Sequence, residues 1–233
     1  MSNSLDNITI NDHNHNHNHN HNHNHNHNHN HNHNHLRTNE LENSSNANEQ
    51  EYYNVTPNEL YEISMKLAKQ IYDSGIRPTH LIALWRGGTP VAMNVHEYFK
   101  YKNIMIDHIA VRTGSYEGKI QHEIRIDGLE YIIKNVNTTD CVLIIDDIFD
   151  SGRSVKKLID TMKNEMRLNM PNDIIIATAY YKPENSKVDI KPNFYSVIIK
   201  SKTWVIFPHE LEGLSLEQIK QFKGEDIYEL VKN

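Results

Sequence analysis

Val142-Leu143-Ile144-Ile145-Asp146-Asp147-Ile148-Phe149-Asp150-Ser151-Gly152-Arg153-Ser154 joins an apolar run, paired carboxylates and a small-residue turn without a break. Four consecutive apolar residues, Val142 to Ile145, bounded by charge, read as a short strand buried on both faces, as in a parallel sheet covered by helices. Downstream, Val155, Leu158, Ile159, Met162 and Met166 recur at helical spacing and predict an amphipathic helix over 154–166. The turn between them therefore lies at the carboxyl end of a strand and the amino end of a helix.

That position favours anions, because the first N–H groups of a helix have no internal partner and the macrodipole adds partial positive charge. Ser151, Gly152 and Ser154 are small or hydroxylic and let a phosphate approach the backbone. Asp146 and Asp147 offer acceptors at the strand end, suited to the vicinal hydroxyls of a ribose or to the waters of a bound Mg²⁺. Phosphate, sugar and metal together imply a phosphorylated pentose.

The whole run resembles the phosphoribosyl pyrophosphate (PRPP) signature of the type I phosphoribosyltransferases. The resemblance implies an α/β fold, with a mainly parallel twisted sheet flanked by helices and a small hood formed by the C-terminal segment. In that frame Asp146 and Asp147 hold the ribose, and the backbone of Asp150, Ser151, Gly152, Arg153 and Ser154 anchors its 5′-phosphate.

The first fifty residues are of another kind. His and Asn alternate from His13 to His35, a tract that holds 12 of the 17 His residues, and Asn and Ser dominate as far as Gln50. So little apolar surface cannot offset the entropy of ordering, and residues 1–50 are expected to be disordered. The His repeat could hold Zn²⁺ or Ni²⁺ weakly, without fixed geometry; low-complexity expansion is the plainer reading. The amino terminus has neither the basic and apolar regions of a secretory signal nor a recognisable transit peptide.

Residues 51–233 suffice for one domain with a substantial core, here the expected phosphoribosyltransferase domain. The tail carries one Arg and five acids, so of the overall charge of −6 the body keeps only −2. This is not the basic surface that non-specific nucleic-acid binding needs. No apolar run approaches transmembrane length, so no membrane partner is expected. A single cysteine, Cys141, rules out disulfides within the chain and fits a reducing, cytoplasmic setting; its place at the start of the strand suggests a small core residue rather than a catalytic thiol.

Thr56-Pro57-Asn58-Glu59 has the form of a capping box with Pro at the first helical position, and Leu60, Ile63, Leu67, Ala68 and Ile71 continue as one apolar stripe toward Gly75. A buried strand over His80–Trp85 is broken by Arg86-Gly87-Gly88, and a helix starts at Thr89-Pro90. Further expected elements are a strand near 104–111, a polar loop over 113–123, a helix around 129–136, strands over 174–180 and 194–199, and two short amphipathic segments around 214–222 and 227–231. Strands alternating with helices indicate a mainly parallel sheet, whose ligands bind outside the carboxyl ends of the strands.

The loops after those strands carry the remaining candidates. Arg86-Gly87-Gly88 puts a guanidinium and two unhindered amides where the family holds pyrophosphate, although a turn with a surface Arg has the same sequence. Ser115-Tyr116 matches a pair often found in the family's flexible lid, which excludes water from a hydrolysable intermediate; a solvated loop is the alternative. Asp150 stands where family members acting on 6-oxopurines have a carboxylate for the N7 proton, or it caps the following helix. Lys182 resembles the lysine that donates to the purine O6. The segment Thr203 to Glu210 resembles the base-binding segment, with Trp204 as stacking ring, or else as a core residue, and Val205 facing the far edge of the base.

Asp150, Asp146 and Asp147 are thus the catalytic candidates, and Asp146, Asp147 and Glu210 the candidates for Mg²⁺. Two residues depart from the family pattern: His209 replaces a large aromatic, and Arg153 replaces Gly or Lys. The resemblance implies a Mg²⁺-dependent purine salvage enzyme joining PRPP to xanthine, guanine or hypoxanthine, assembled as a homodimer or tetramer. A PRPP- or nucleotide-sensing regulator on the same fold, or an enzyme for another nitrogen base, are the alternatives.

Overall fold

The computed structural model describes residues 50–115 and 124–232, with the side chain of Ser115 excepted. The His/Asn tail expected to be disordered and Tyr116 of the expected lid lie outside them. The apolar run of the signature lies within strand β5, Cys141–Phe149, which follows β1 (Tyr52–Asn54), α1 (Pro57–Asp73), β2 (His80–Trp85), α2 (Gly88–Tyr101), β3 (Asp107–Ser115), β4 (Ile124–Asp127) and α3 (Glu130–Asn135). After it come α4 (Arg153–Met166), β6 (Asp173–Tyr181), β7 (Phe194–Ile198), β8 (Trp204–Ile206), α5 (Leu216–Lys223) and α6 (Glu225–Val231).

Six strands form one sheet in the order β4-β3-β2-β5-β6-β7, parallel throughout except for the β3–β4 pair. The chain passes outward from β2 to β3, then returns to the other side of β2 for β5 and proceeds outward again through β6 and β7. The order thus reverses between β2 and β5, and at such a switch point the loops diverge and leave a crevice beyond the strand ends. Both expected anion loops, 86–88 after β2 and 150–153 after β5, flank it.

Burial on both faces explains the unbroken apolar run. Leu143 and Ile145 pack with Leu67, Ile71, Val91, Val95 and Phe99 under α1 and α2. Val142 and Ile144 pack with Ile132, Val155, Leu158 and Met162 under α3 and α4. The strand extends beyond the Asp pair because β6 continues beside it as far as Phe149 opposite Tyr181.

Three expectations are corrected. The third strand starts at Asp107 rather than near 104 and runs to Ser115, so the polar stretch expected as a loop from 113 begins as a ribbon in which Thr113, Gly114 and Ser115 pair with Ile126, Arg125 and Ile124. The alternation Ile124-Arg125-Ile126-Asp127 was the signal for β4. A two-stranded parallel sheet of β1 and β8 was not expected, and it adds the N-terminal segment to the hood. There Ser215 and Gln218 form a full capping box at α5, Gln218 Nε2 donates to the Tyr52 hydroxyl at 3.2 Å, and Asn54 Nδ2 donates to Phe222 O at 3.2 Å.

The capping box at α1, by contrast, is half formed. Thr56 Oγ1 accepts from Glu59 N at 3.2 Å, but the Glu59 carboxylate turns inward and accepts from the hydroxyls of Tyr53 at 2.5 Å and Tyr180 at 3.2 Å. Burial and this carboxylate push the Tyr53 phenol up to about 12 and raise that of Tyr180 as well. A buried phenol without an acceptor costs more than a cap returns. Glu59→Ala is therefore expected to lower unfolding stability by about 2 kcal/mol, since it strands two phenols, whereas Thr56→Ala is expected to cost about 1 kcal/mol. Denaturant midpoints of the two variants check the order.

Candidate active site

The two glycine-bearing loops are held against the signature strand by close backbone approach. A Cβ on Gly87 would stand 2.0 Å from Asp147 Oδ2, and a Cβ on Gly88 would stand 2.5 Å from the Ile145 carbonyl oxygen. The loop after β2 therefore lies directly on Ile145 to Asp147, a reason for glycine beyond unhindered amides. The Trp85–Arg86 peptide at its start is cis. Arg86 itself is exposed and donates from Nη2 to Glu212 Oε2 at 2.7 Å.

Gly152 precedes α4 in a left-handed conformation, φ +74°, and a Cβ there would meet the Phe149 ring at 2.4 Å and Val188 at 2.6 Å. This position needs glycine on both counts. Gly152 has no side chain to cap α4; Ser151 Oγ accepts from Arg153 N at 3.4 Å, and the Asp150 oxygens accept from Lys182 and Asn185 instead. Asp150 thus does not cap it, which removes one of the two roles open to that residue. Ser151 O accepts from Lys187 N at 2.9 Å, tying the turn to the chain beyond β6. Arg153 is exposed at the first helical position, and Ser154 is half-buried.

The signature carboxylates have three different surroundings. Asp146 Oδ1 accepts from Asp147 N at 3.0 Å, and burial together with the neighbouring Asp147 carboxylate holds its carboxyl well above the usual range. Asp147 is 6% exposed; its Oδ1 accepts from Ile148 N at 2.7 Å and its Oδ2 lies 3.4 Å from His209 Nε2. Asp150 accepts from Lys182 Nζ at 3.0 Å through one oxygen and from Asn185 Nδ2 at 2.8 Å through the other. Lys182, 5% exposed, is the buried member of that pair.

Asn185 was not singled out from sequence. Its amide also donates to Ser201 O at 3.2 Å, linking Asp150 to the turn before β8, and Ile199 N donates to Tyr181 O at 2.9 Å. Lys182 and the segment entering Trp204 are thereby neighbours. Trp204 is 57% exposed, not a core residue, while Val205 is buried and paired with Tyr53. At the far end of β8, burial raises the Glu210 carboxyl, whose Oε2 accepts from Phe207 N at 3.3 Å.

Of the metal candidates, the structure groups Asp147 with Glu210 and adds His209: one ligand atom from each lies within 4.8 Å of the others. Asp146 is outside this group. The signal for His209 was its departure from the family pattern. Cys141 is half-buried at the start of β5, and burial raises its thiol, as befits a structural cysteine.

Comparison with known proteins bears on the family and the fold. A family model described as a phosphoribosyl transferase domain matches residues 53–213. The hypoxanthine-guanine phosphoribosyltransferase of Streptococcus mutans serotype c is 30% identical over 114 residues, which are 49% of this chain and 59% of that protein, so less than two thirds of its length is spanned. The protein of the same name from Streptococcus pyogenes is 27% identical over 138 residues, 59% of this chain and 72% of the relative.

Among solved structures, a purine phosphoribosyltransferase from Pyrococcus horikoshii superposes with a TM-score of 0.56 at 19% identity, covering 70% of this chain and 97% of that one. A Neisseria gonorrhoeae protein with bound ppGpp reaches 0.59 at 17% identity, covering 75% and 97%. These two likenesses establish the type I fold. Among the described residues, no helix is long and apolar enough to cross a membrane. By the family model, and with the fold in agreement, the chain belongs to the phosphoribosyl transferase domain family.

Proposed function

We propose that the protein transfers the 5-phosphoribosyl group of PRPP to N9 of a 6-oxopurine, namely xanthine, guanine or hypoxanthine, and releases pyrophosphate. The observation that supports this reading is that Asp150, just beyond the carboxyl end of β5 and directly before the Ser151-Gly152 turn, accepts hydrogen bonds from both Lys182 and Asn185.

In this reading the turn 151–154 holds the 5′-phosphate on backbone N–H groups at the start of α4. Asp146 and Asp147 face the ribose, and the loop 86–88 receives the pyrophosphate. The exposed Arg86–Glu212 pair costs little to open, so Arg86 can turn toward that anion. By resemblance Ser115 and Tyr116 belong to a lid that excludes water from the site, and Tyr116 lies outside the described residues. The bond from C1 of the ribose to the pyrophosphate oxygen breaks and the oxygen keeps the electron pair. The C1–N9 bond forms from the lone pair of N9, and the proton on N7 passes to the Asp150 carboxylate.

Lys182 has three donors and can share its ammonium between Asp150 and the purine O6; the amino group of adenine would set donor against donor. Trp204 supplies a ring face for the base. The donor set of Asp147 and Glu210, one buried carboxylate and one partly buried, suits a hard divalent ion. Bound Mg²⁺ would neutralise charge on the departing pyrophosphate.

The test is pyrophosphate release from PRPP and Mg²⁺ with xanthine, guanine, hypoxanthine, adenine, orotate and uracil offered separately. Turnover confined to 6-oxopurines is expected. Turnover with orotate or uracil alone would overturn the assignment of Lys182. Silence with every base, beside measurable PRPP binding, would move the protein to a nucleotide-sensing regulator, a reading that the fold shared with the ppGpp-bound Neisseria protein keeps in view.

A further inference from the structure

We propose that His209 completes a mixed nitrogen–oxygen cation site with Asp147 and Glu210, and that its imidazole makes this site prefer borderline first-row ions such as Co²⁺ to Mg²⁺. The inference rests on reading Asp147 and Glu210 as holding the cation, and it adds the ligand that decides which cation.

Three observations converge. Asp147 is 6% exposed, one of its oxygens accepts from the Ile148 amide at 2.7 Å, and the other faces His209 Nε2 at 3.4 Å. A carboxylate buried this far calls for a cationic or donor partner. The imidazole stacks in turn on Phe207, centroids 5.4 Å apart and planes 17° off parallel, and Phe207 is 2% exposed. Finally, one ligand atom each from Asp147, His209 and Glu210 lies within 4.8 Å of the others. An octahedral ion with bonds of about 2.1 Å needs neighbouring ligands about 3 Å apart and opposite ligands about 4.2 Å apart. The three ligand atoms, within 4.8 Å of one another, have to be drawn closer for one ion to be held by all of them.

The chemistry then selects the ion. Mg²⁺ prefers oxygen and keeps several of its waters, so an imidazole adds little to its binding. Co²⁺, Ni²⁺ and Zn²⁺ bind imidazole readily and stand later in the affinity order. An aromatic residue at 209 would leave two carboxylates, a site for hard ions. The histidine converts it into a two-carboxylate, one-imidazole site with room for substrate oxygens.

The experiment is the thermal midpoint of the full-length protein at fixed free Co²⁺ or Mg²⁺, each held by a metal buffer, for wild type, His209→Gln and His209→Phe. Midpoint shifts convert to dissociation constants by mass action. The tract His13–His35 is common to all three proteins, and the buffer keeps its uptake from altering the free ion concentration. Wild type is expected to bind Co²⁺ at least about tenfold more tightly than Mg²⁺. Both variants are expected to lose Co²⁺ affinity by about tenfold or more and to keep their Mg²⁺ affinity. His209→Phe retains the ring stack on Phe207, so a fold damaged in the glutamine variant alone does not obscure the result.

Equal Co²⁺ stabilisation of wild type and His209→Phe overturns the proposal, and so does an absence of Co²⁺ stabilisation in wild type. Base-dependent turnover beside either result leaves the phosphoribosyl reading standing. His209-dependent Co²⁺ binding in a protein silent with every base does the reverse.

Discussion

Gly88→Ala is expected to lose about 3 kcal/mol of unfolding stability, near the upper end of the usual cost of overpacking. The added Cβ would stand 2.5 Å from the Ile145 carbonyl oxygen and 2.9 Å from Asp146 Cα. Both atoms are backbone of β5, which has neighbours on both sides, β2 and β6, so neither can step aside without unzipping a ladder. The cost comes from approach alone, because Gly88 has no left-handed φ. Gly87→Ala differs in kind: its Cβ would strike the Asp147 carboxylate at 2.0 Å, a side-chain end that can rotate, so the fold survives better while the site is displaced. Gly114→Ala is the control, since its Cβ would meet nothing nearer than Arg112 Nε at 3.9 Å. Urea unfolding at unchanged slope reports the difference as a lower midpoint. A wild-type midpoint for Gly88→Ala would refute the close packing of this loop on the signature strand.

The features legible in the sequence were those written by burial on two faces or by local backbone chemistry. The run Val142–Ile145 announced a central parallel strand because each residue meets a helix layer, and His80–Trp85 was recognised at its observed bounds for the same reason. Helix α4 followed from its stripe Val155, Leu158, Ile159, Met162 and Met166, all buried. Elements specified by remote partners were harder to read. Tyr52–Asn54 becomes a strand only because Trp204–Ile206 lies beside it, about 150 residues away. Glu59 sits in a capping-box pattern, yet its carboxylate answers to Tyr53 and Tyr180, and local spacing carries no trace of the second. In the site, the resemblance named residues one at a time. It did not foretell that Lys182 meets Asp150 or that Gly87 lies against Asp147, nor that Arg86 pairs with Glu212, a residue it had not named. Asn185 stayed invisible because an amide in a Pro-Glu-Asn turn looks like turn chemistry until its two acceptors, Asp150 and Ser201, are known.

Asp150→Asn is expected to lower turnover by about a hundredfold or more while leaving PRPP affinity nearly unchanged. Both oxygens of this carboxylate receive donors, the ammonium of Lys182 at 3.0 Å and the amide of Asn185 at 2.8 Å. An asparagine offers one acceptor and must turn its own NH₂ toward the other donor, so one hydrogen bond becomes a clash of donors. The substitution also removes the group that takes the N7 proton, and it leaves the 5% exposed Lys182 without its anion. The turn Ser151 to Ser154, proposed to hold the phosphate by backbone groups, is unaltered, and for that reason PRPP affinity separates from turnover. Asn185→Ala makes the complementary test: it keeps the proton acceptor and the lysine, loses only orientation, and is expected to fall by about tenfold. Steady-state kcat and KM for each substrate, with calorimetric PRPP binding, distinguish the cases. Wild-type kcat in Asp150→Asn would sink its role as proton acceptor, and a parallel loss of PRPP affinity would reassign Asp150 to phosphate binding.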